Sequence, residues 1–388
     1  MIIDTALFFI CITLLTVAVI SPLFSPFNRL RTEEGDIEDG GKKLPPLTIL
    51  LTPHKQGIEL EKNVPLMLAQ DYPAPIEIII VVERGDIETE DALKRLSKDK
   101  RVYGTFIPER SRYMSRKKLA ITLGVKASHH EWIIMTDANN TPESDQWLKT
   151  MARHCTNDID FVLGYSNYES SACSFYRFER LYAACYLFRE ATKGTAYRTN
   201  STNLLFRKAI FTEGDGYRGN LDIGRGEYDF LVNKYAREGR SVIELSPMAW
   251  MTEESPVRQT WRSQNLYYIH IRQFLKRNLS HRLLPFFDEV VIQSTWLILV
   301  TALLYGCISI TTEGIETKNA ILTLTAFAAL IANIILRALF SKRVIRYFKT
   351  QLPLWCIPFY EMKHLWHCIY NLLRYKFSDK TDYTTHKL

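Results

Sequence analysis

Residues Lys117 to Pro142 read Lys-Lys-Leu-Ala-Ile-Thr-Leu-Gly-Val-Lys-Ala-Ser-His-His-Glu-Trp-Ile-Ile-Met-Thr-Asp-Ala-Asn-Asn-Thr-Pro. The pattern predicts a helix, then a short apolar strand over Trp132 to Met135, then an acidic-polar loop headed by Asp137. In α/β sheets ligands gather where strands end, so a carboxylate at that point meets whatever the fold binds. A divalent cation such as Mg2+ or Mn2+ takes hard oxygen ligands from one or two carboxylates plus phosphate. Asp137-Ala138-Asn139 offers one carboxylate and one amide oxygen at a suitable spacing, which makes Asp137 and Asn139 candidate metal ligands. The same short string also suits a cap for the next helix.

Upstream, Leu47 to Thr52 is a largely apolar strand followed by Pro-His-Lys-Gln-Gly. Ile58 to Gln70 reads as a helix ending at Asp71-Tyr72-Pro73, and Pro65 within it predicts a kink or a late start. Ile76 to Val82 is a second buried strand, interrupted by Glu77 and closed by Glu83, and Glu88 to Ser97 is helical in pattern. Strand alternating with helix, with nearly unbroken Val/Ile runs, predicts a mostly parallel sheet covered on both faces.

The 388 residues have a mean hydropathy of only -0.11, yet the apolar residues concentrate at the two ends. Ile2 to Phe24 is long enough to cross a bilayer. Asp4 lies near its start and Arg29, Arg31, Lys42 and Lys43 follow, the reverse of a cleavable signal peptide's charge order. Cations stay on the cytoplasmic side, so the middle of the chain is expected to face the cytoplasm. Val290 to Thr311 and Ala320 to Phe340 form two further apolar spans, joined by Thr312 to Lys318. Lys276, Arg277 and Arg282 precede the pair and Lys342, Arg343 and Arg346 follow, consistent with the same orientation. Leu352 to Phe377 mixes apolar, aromatic and basic residues and reads as an in-plane interfacial helix. Its His364 and His367 form a His-X-X-His pair for which the sequence singles out no third ligand.

The expected organisation is therefore a transmembrane anchor at 1–25, a linker at 26–44, a catalytic domain at 45–275, a transmembrane helix pair at 285–345, and an interfacial helix with a tail at 350–388. Seven cysteines without a Cys-X-X-Cys pair give neither a disulfide framework nor a zinc signature. The net charge of +7 gathers beside the apolar spans, which points to a membrane surface and not to nucleic acid.

Read together, Leu-Thr-Ile-Leu-Leu-Thr-Pro at 47–53, Leu-Ala-Gln-Asp-Tyr-Pro at 68–73, Ile-Glu-Ile-Ile-Ile-Val-Val-Glu at 76–83, Lys-Lys-Leu-Ala at 117–120 and Thr-Asp-Ala-Asn-Asn-Thr-Pro at 136–142 resemble family 2 glycosyltransferases of the GT-A fold. The likeness is greatest to bacterial membrane-anchored members and covers about 45–275. It implies that Thr52 and Pro53 touch the nucleotide, that Glu83 stands where an Asp commonly recognises uridine, that Lys118 matches a lysine of the nucleotide pocket, and that Asp137 faces a metal, with Asn139 departing from its usual Asp partner. Gln56-Gly57 departs from the Asn-Glu often found after the first strand. Asn203, in Thr199 to Lys208, matches an Asn near the donor sugar. The aromatic and basic run from Phe175 to Arg189 reads as an amphipathic helix, or as part of an acceptor groove.

Gly224 to Leu231 resembles the family's acidic segment, whose carboxylate acts as base. Alignment on Asp229-Phe230 puts Glu227 at the base position, with Asp229 as the other candidate, and puts Gly226 where a Glu is usual. Either carboxylate also suits a brace for the helix that follows. Gln259-Thr260-Trp261-Arg262-Ser263 matches the Gln-X-X-Arg-Trp element, keeping Gln259 and Arg262 as acceptor-side candidates and replacing the Trp by Ser263, which weakens any expectation of processivity.

The resemblance thus implies a membrane-bound, inverting glycosyltransferase of the hexosyltransferase type in the bacterial inner membrane. It would use a nucleotide-diphospho-sugar donor, UDP-linked in the first instance, a divalent metal, and a lipid-linked or polysaccharide acceptor, with envelope-biosynthesis proteins as partners. The alternative is a catalytically degenerate scaffold of the same fold, motivated by Asn139, Gly226 and Ser263. A transporter finds little support, because the spans carry ionisable residues only towards their edges, as at Asp4 and Arg337.

Overall fold

Alternate residues of the first strands face opposite ways, and both sets are buried. Leu47, Ile49 and Leu51, with Ile78, Ile80 and Val82, enter one core, while Leu50, Ile79 and Val81 enter another. A strand buried on both faces has no room for polar alternation, hence its unbroken apolar run. In the computed structural model, which describes residues 5–30, 43–108, 115–193 and 195–378, these strands belong to the larger of two compact units, comprising 33–176, 187–276 and 371–388. The linker stretch Arg31 to Gly40 and the tail beyond Ser378 lie outside the described residues.

The chain runs α1 (Thr5–Ile20), β1 (Leu47–Leu51), α2 (Gly57–Leu68), β2 (Ile76–Glu83), α3 (Ile87–Leu96), β3 (Val102–Ile107), α4 (Arg116–Ala127), β4 (Trp132–Met135), β5 (Asn140–Pro142) and α5 (Trp147–Ala152). It continues through β6 (Phe161–Leu163), β7 (Ser166–Tyr168), α6 (Ser174–Lys193), β8 (Leu204–Arg207), α7 (Lys208–Glu213), α8 (Glu227–Tyr235), β9 (Ser241–Ile243), β10 (Met251–Glu253), α9 (Arg258–Ile271), α10 (Leu279–Glu313), α11 (Thr317–Tyr347) and α12 (Ile357–Phe377). Seven strands form one sheet in the order β3-β2-β1-β4-β8-β6-β9. β1, β2, β3 and β4 are mutually parallel, and β8 alone runs against its neighbours β4 and β6. A small sheet β5-β10-β7 stands beside it.

The chain steps outward from β1 to β2 and β3, then returns to place β4 on the other side of β1. That reversal opens a crevice beyond the carboxyl ends of β1 and β4, the place where such sheets bind ligands. Thr52 and Pro53 follow β1, and Asp137 follows β4. α4 enters from the β3 side, so its first turn comes to the same end. It packs closely because of Gly124: a Cβ there would lie 2.2 Å from a Leu50 methyl and 3.1 Å from Val81. Glu77, near the start of β2, is buried. It accepts hydrogen bonds from Thr48 Oγ1 (2.6 Å) and the His129 N–H (2.8 Å), and despite its burial these bonds hold its pKa below the ordinary range. Pro65 neither breaks nor delays α2, which begins at Gly57 and continues to Leu68.

The second unit comprises 1–32, 177–186 and 277–370. Among its described residues are three helices long and apolar enough to span a membrane, Thr5–Phe24, Leu279–Glu313 and Thr317–Tyr347. The turn between the last two is shorter than the sequence suggests, because both helices extend into it. His364 and His367 both hydrogen-bond the Glu179 carboxylate through Nδ1, at 3.2 and 2.6 Å, a partner the sequence pattern did not single out.

Candidate functional site

The loop after β4 is pinned at its backbone. Thr136 N–H donates to the Leu50 carbonyl (3.3 Å), Asn140 N–H to the Asp137 carbonyl (3.1 Å), and Asn63 Nδ2 to the Ala138 carbonyl (2.7 Å). The Asn140 amide donates to Thr136 Oγ1 (2.9 Å) and to Thr202. A loop tied at so many points presents the Asp137 carboxylate in one orientation. Its Oδ1 accepts from Lys117 Nζ (2.8 Å) and Tyr228 Oη (3.0 Å), and the ammonium also lies 5.4 Å from the centre of the Tyr228 ring. Burial opposes the charge of Lys117, but Asp137 and Glu227 outweigh it and hold its pKa above the usual lysine value. Asn139 is half-buried.

α8 brings the two acidic candidates to this place. Glu227, 7% exposed, accepts from Ser115 Oγ (3.2 Å) and sits within the electrostatic reach of Lys117. Asp229, 9% exposed, accepts from the Thr199 N–H (3.2 Å) and lies 3.9 Å from Arg198 Nη1. Burial pushes the pKa of Asp229 up to about 6, against the pull of Arg198 and the Thr199 N–H. Gly226, the residue before α8, has φ +85°, and a Cβ there would stand 3.0 Å from the Phe230 ring. A glutamate at this position would be both strained and crowded, so the local backbone accounts for the glycine.

The remaining candidates are distributed as follows. Lys118 is 0% exposed, donates to the carbonyls of Asn220 and Ile223, and faces the ring of Phe230 (4.7 Å). Burial pushes its pKa down to about 8. It holds the loop before α8, and Lys117 is the lysine that meets Asp137. The helical phase carried this signal: Lys118 is spaced three and seven residues from Ile121 and Val125, both fully buried. Asn203 is also fully buried. It donates to the Ala249 (2.8 Å) and Tyr165 (3.3 Å) carbonyls and accepts from Trp147 Nε1 (3.1 Å). Glu83, at the end of β2, contacts Arg116 and lies 3.5 Å from His54 Nδ1. Thr52 is half-buried and Pro53 buried at the end of β1. On α9, Gln259 is exposed and Arg262 half-buried, and the buried Trp261 between them stacks on Tyr176 at 3.9 Å. Tyr228 and Arg198 are site residues that the sequence reading did not include.

No family model matches the sequence, and no curated protein is significantly similar to it. Among solved structures, the chain is similar to the mannosyltransferase PcManGT from Pyrobaculum calidifontis in complex with GDP-Man and Mn2+. The two share 14% identity with a TM-score of 0.52, covering 85% of this chain and 98% of that one. It also aligns with residues 1–349 of S. aureus TarS in complex with UDP-GlcNAc, at 12% identity and a TM-score of 0.42, covering 83% of this chain and 92% of that one. The chain has a GT-A-like fold. At such identity the likeness is one of fold, and in this GT-A-like sheet Asp137, Lys117 and the first turn of α8 meet beyond β4.

Proposed function

We propose that this chain is a membrane-bound, inverting glycosyltransferase of family 2, with its catalytic unit on the cytoplasmic face of a bacterial inner membrane. The observation that carries the reading is the meeting of Asp137, Lys117, Glu227 and Asp229 at the switch point of the sheet. Thr52, Pro53 and Glu83, at the neighbouring strand ends, are suited to the nucleotide. Lys118 and Asn203 would contribute by holding the site's frame. Gln259 and Arg262 remain the acceptor-side candidates, for a lipid-linked or polysaccharide hydroxyl.

Inverting transfer needs a base that takes the proton of the acceptor hydroxyl as its oxygen attacks the anomeric carbon, opposite the departing nucleoside diphosphate. Glu227 or Asp229 fills that role, and the Lys117 ammonium meets negative charge on the leaving side. For a divalent metal the donor set fits in a limited way. Lys117 and Tyr228 take only Oδ1 of Asp137, which leaves Oδ2 and the Asn139 amide. Among the described residues no group of three or more His, Cys, Asp or Glu is arranged for a metal, so the pair suits an ion whose shell a diphosphate and water complete. When bound, such an ion would offset charge on the departing diphosphate.

Nucleotide release by the full chain in detergent, across UDP-, GDP- and TDP-sugars with Mg2+ or Mn2+ and a membrane-lipid extract, tests the proposal. Release from one donor is expected, with a loss of 100-fold or more in Asp137→Ala and Glu227→Ala. Nucleotide binding without turnover of any donor would instead favour the scaffold.

A further inference from the structure

Arg198 is 8% exposed, and its Nε is buried without a hydrogen-bond partner. One face lies 3.7 Å from the centre of the Tyr268 ring, which shields the group without using any of its five N–H donors. Its nearest charged neighbour, Asp229, stays 3.9 Å away and is engaged by the Thr199 N–H. A buried cation with an unmet donor is costly unless a partner arrives.

Two more buried groups on α9 share this condition. Asn265 Nδ2 and Tyr267 Oη have no hydrogen-bond partner among the described residues. Asn265 lies one turn before Tyr268 on the same face of the helix. The Tyr267 phenol feels the charges of Glu227, Asp229 and Arg225, and Arg225 stands 5.4 Å from its ring centre. The unmet groups are thus a guanidinium Nε–H, an amide NH2 and a phenol, and each can donate. A ligand rich in acceptor oxygens and negative charge matches them. A metal ion does not, and a neutral hydroxyl would offer the guanidinium no charge-assisted bond.

We propose that Arg198, with Tyr267 and Asn265, forms a phosphate-binding subsite beside Asp229 and Glu227. Only the identity of the phosphate depends on the transferase reading: it belongs either to the donor's diphosphate or to an acceptor that itself carries a phosphate. The fixed guanidinium would orient that group by paired N–H···O bonds, next to the carboxylates that handle the acceptor hydroxyl.

The test is calorimetric binding of hexyl phosphate and of UDP or GDP to the full chain in neutral detergent, with hexanol as control, for the wild type, Arg198→Gln, Arg198→Lys and Tyr267→Phe. The wild type is expected to bind hexyl phosphate and not hexanol, or to bind the nucleoside diphosphate. Arg198→Gln should weaken that binding tenfold or more, and Arg198→Lys less. Loss confined to hexyl phosphate assigns the subsite to the acceptor, and loss confined to the nucleotide assigns it to the donor. Equal binding by wild type and Arg198→Gln, or no binding of either phosphate by the wild type, overturns the proposal. Thermal melting checks that the variants fold, and should Arg198→Gln fail to fold, a tenfold loss in Arg198→Lys or Tyr267→Phe decides the matter. Arg198-dependent phosphate binding without turnover of any donor would keep the subsite and remove the transferase reading.

Discussion

Asp229 is a buried carboxylate, and its raised pKa has a calculable consequence. The folded state keeps the proton up to about pH 6, whereas the unfolded chain releases it near 3.8. Between those values the folded state binds more protons, so stability falls as pH rises, and above pH 6 the cost is constant at about 3 kcal/mol. Asp229→Asn, which resembles the protonated form, should therefore melt higher than the wild type at pH 7.5, with the gap closing towards pH 4. Melting curves across that range check it, and a gap independent of pH would contradict the assignment. If Asp229 is the base, turnover should also rise with pH through about 6. At this scale the sequence was only partly legible. Asp137 stood out as a carboxylate directly after a strand, whereas Glu227 and Asp229 came from the resemblance of their segment to the family's acidic element. Lys117 and Lys118 are adjacent, and only the burial of Ile121 and Val125 shows which of the two turns inward. Arg198 carried no local signal, since its partners Tyr268 and Asp229 are remote in the chain.

Elements were read better than residues, because a strand buried on both faces must be mostly apolar, and β1, β2 and β4 are. Helix starts were less legible. Pro65 does not delay α2, since the helix begins at Gly57, passes through it and ends at Leu68. The start of α8 depends on Gly226, whose φ of +85° no periodicity reveals. Gly219 has a similar φ of +94°, but a Cβ added there would meet nothing within 4 Å, so the pair separates strain from crowding. Gly219→Ala should cost about 1 kcal/mol, the penalty of a left-handed L-residue. Gly226→Ala adds contact with Phe230 at 3.0 Å and Ile271 at 3.3 Å, and should cost about 1–3 kcal/mol more. Chemical denaturation of both variants measures the difference. Turnover should fall only in Gly226→Ala, because displacing the first turn of α8 moves Glu227 and Asp229, and equal losses of stability in the two variants would show that Phe230 yields to the added methyl.

At the scale of the molecule, the apolar ends were evident from hydropathy, but the polar network within their unit was not. Arg337, read from sequence as an edge charge, is 0% exposed in α11. It donates to Glu361 Oε2 (2.6 Å) and Asn333 Oδ1 (3.0 Å), and Ser25 Oγ donates to Glu361 Oε1 (2.6 Å). These partners come from three separate stretches of chain, so no window of sequence contains the arrangement. Two fully buried charges are tolerable only together, since each alone would lack compensation in a low-dielectric surrounding. Arg337→Met or Glu361→Leu should each destabilise this unit by about 3–5 kcal/mol, whereas the double variant should recover most of the loss. The folded fraction after heating in detergent, followed by size-exclusion chromatography, measures the cycle. Additive losses in the double variant would mean that the two residues stabilise the helices independently, through Asn333 and Ser25 and not through each other.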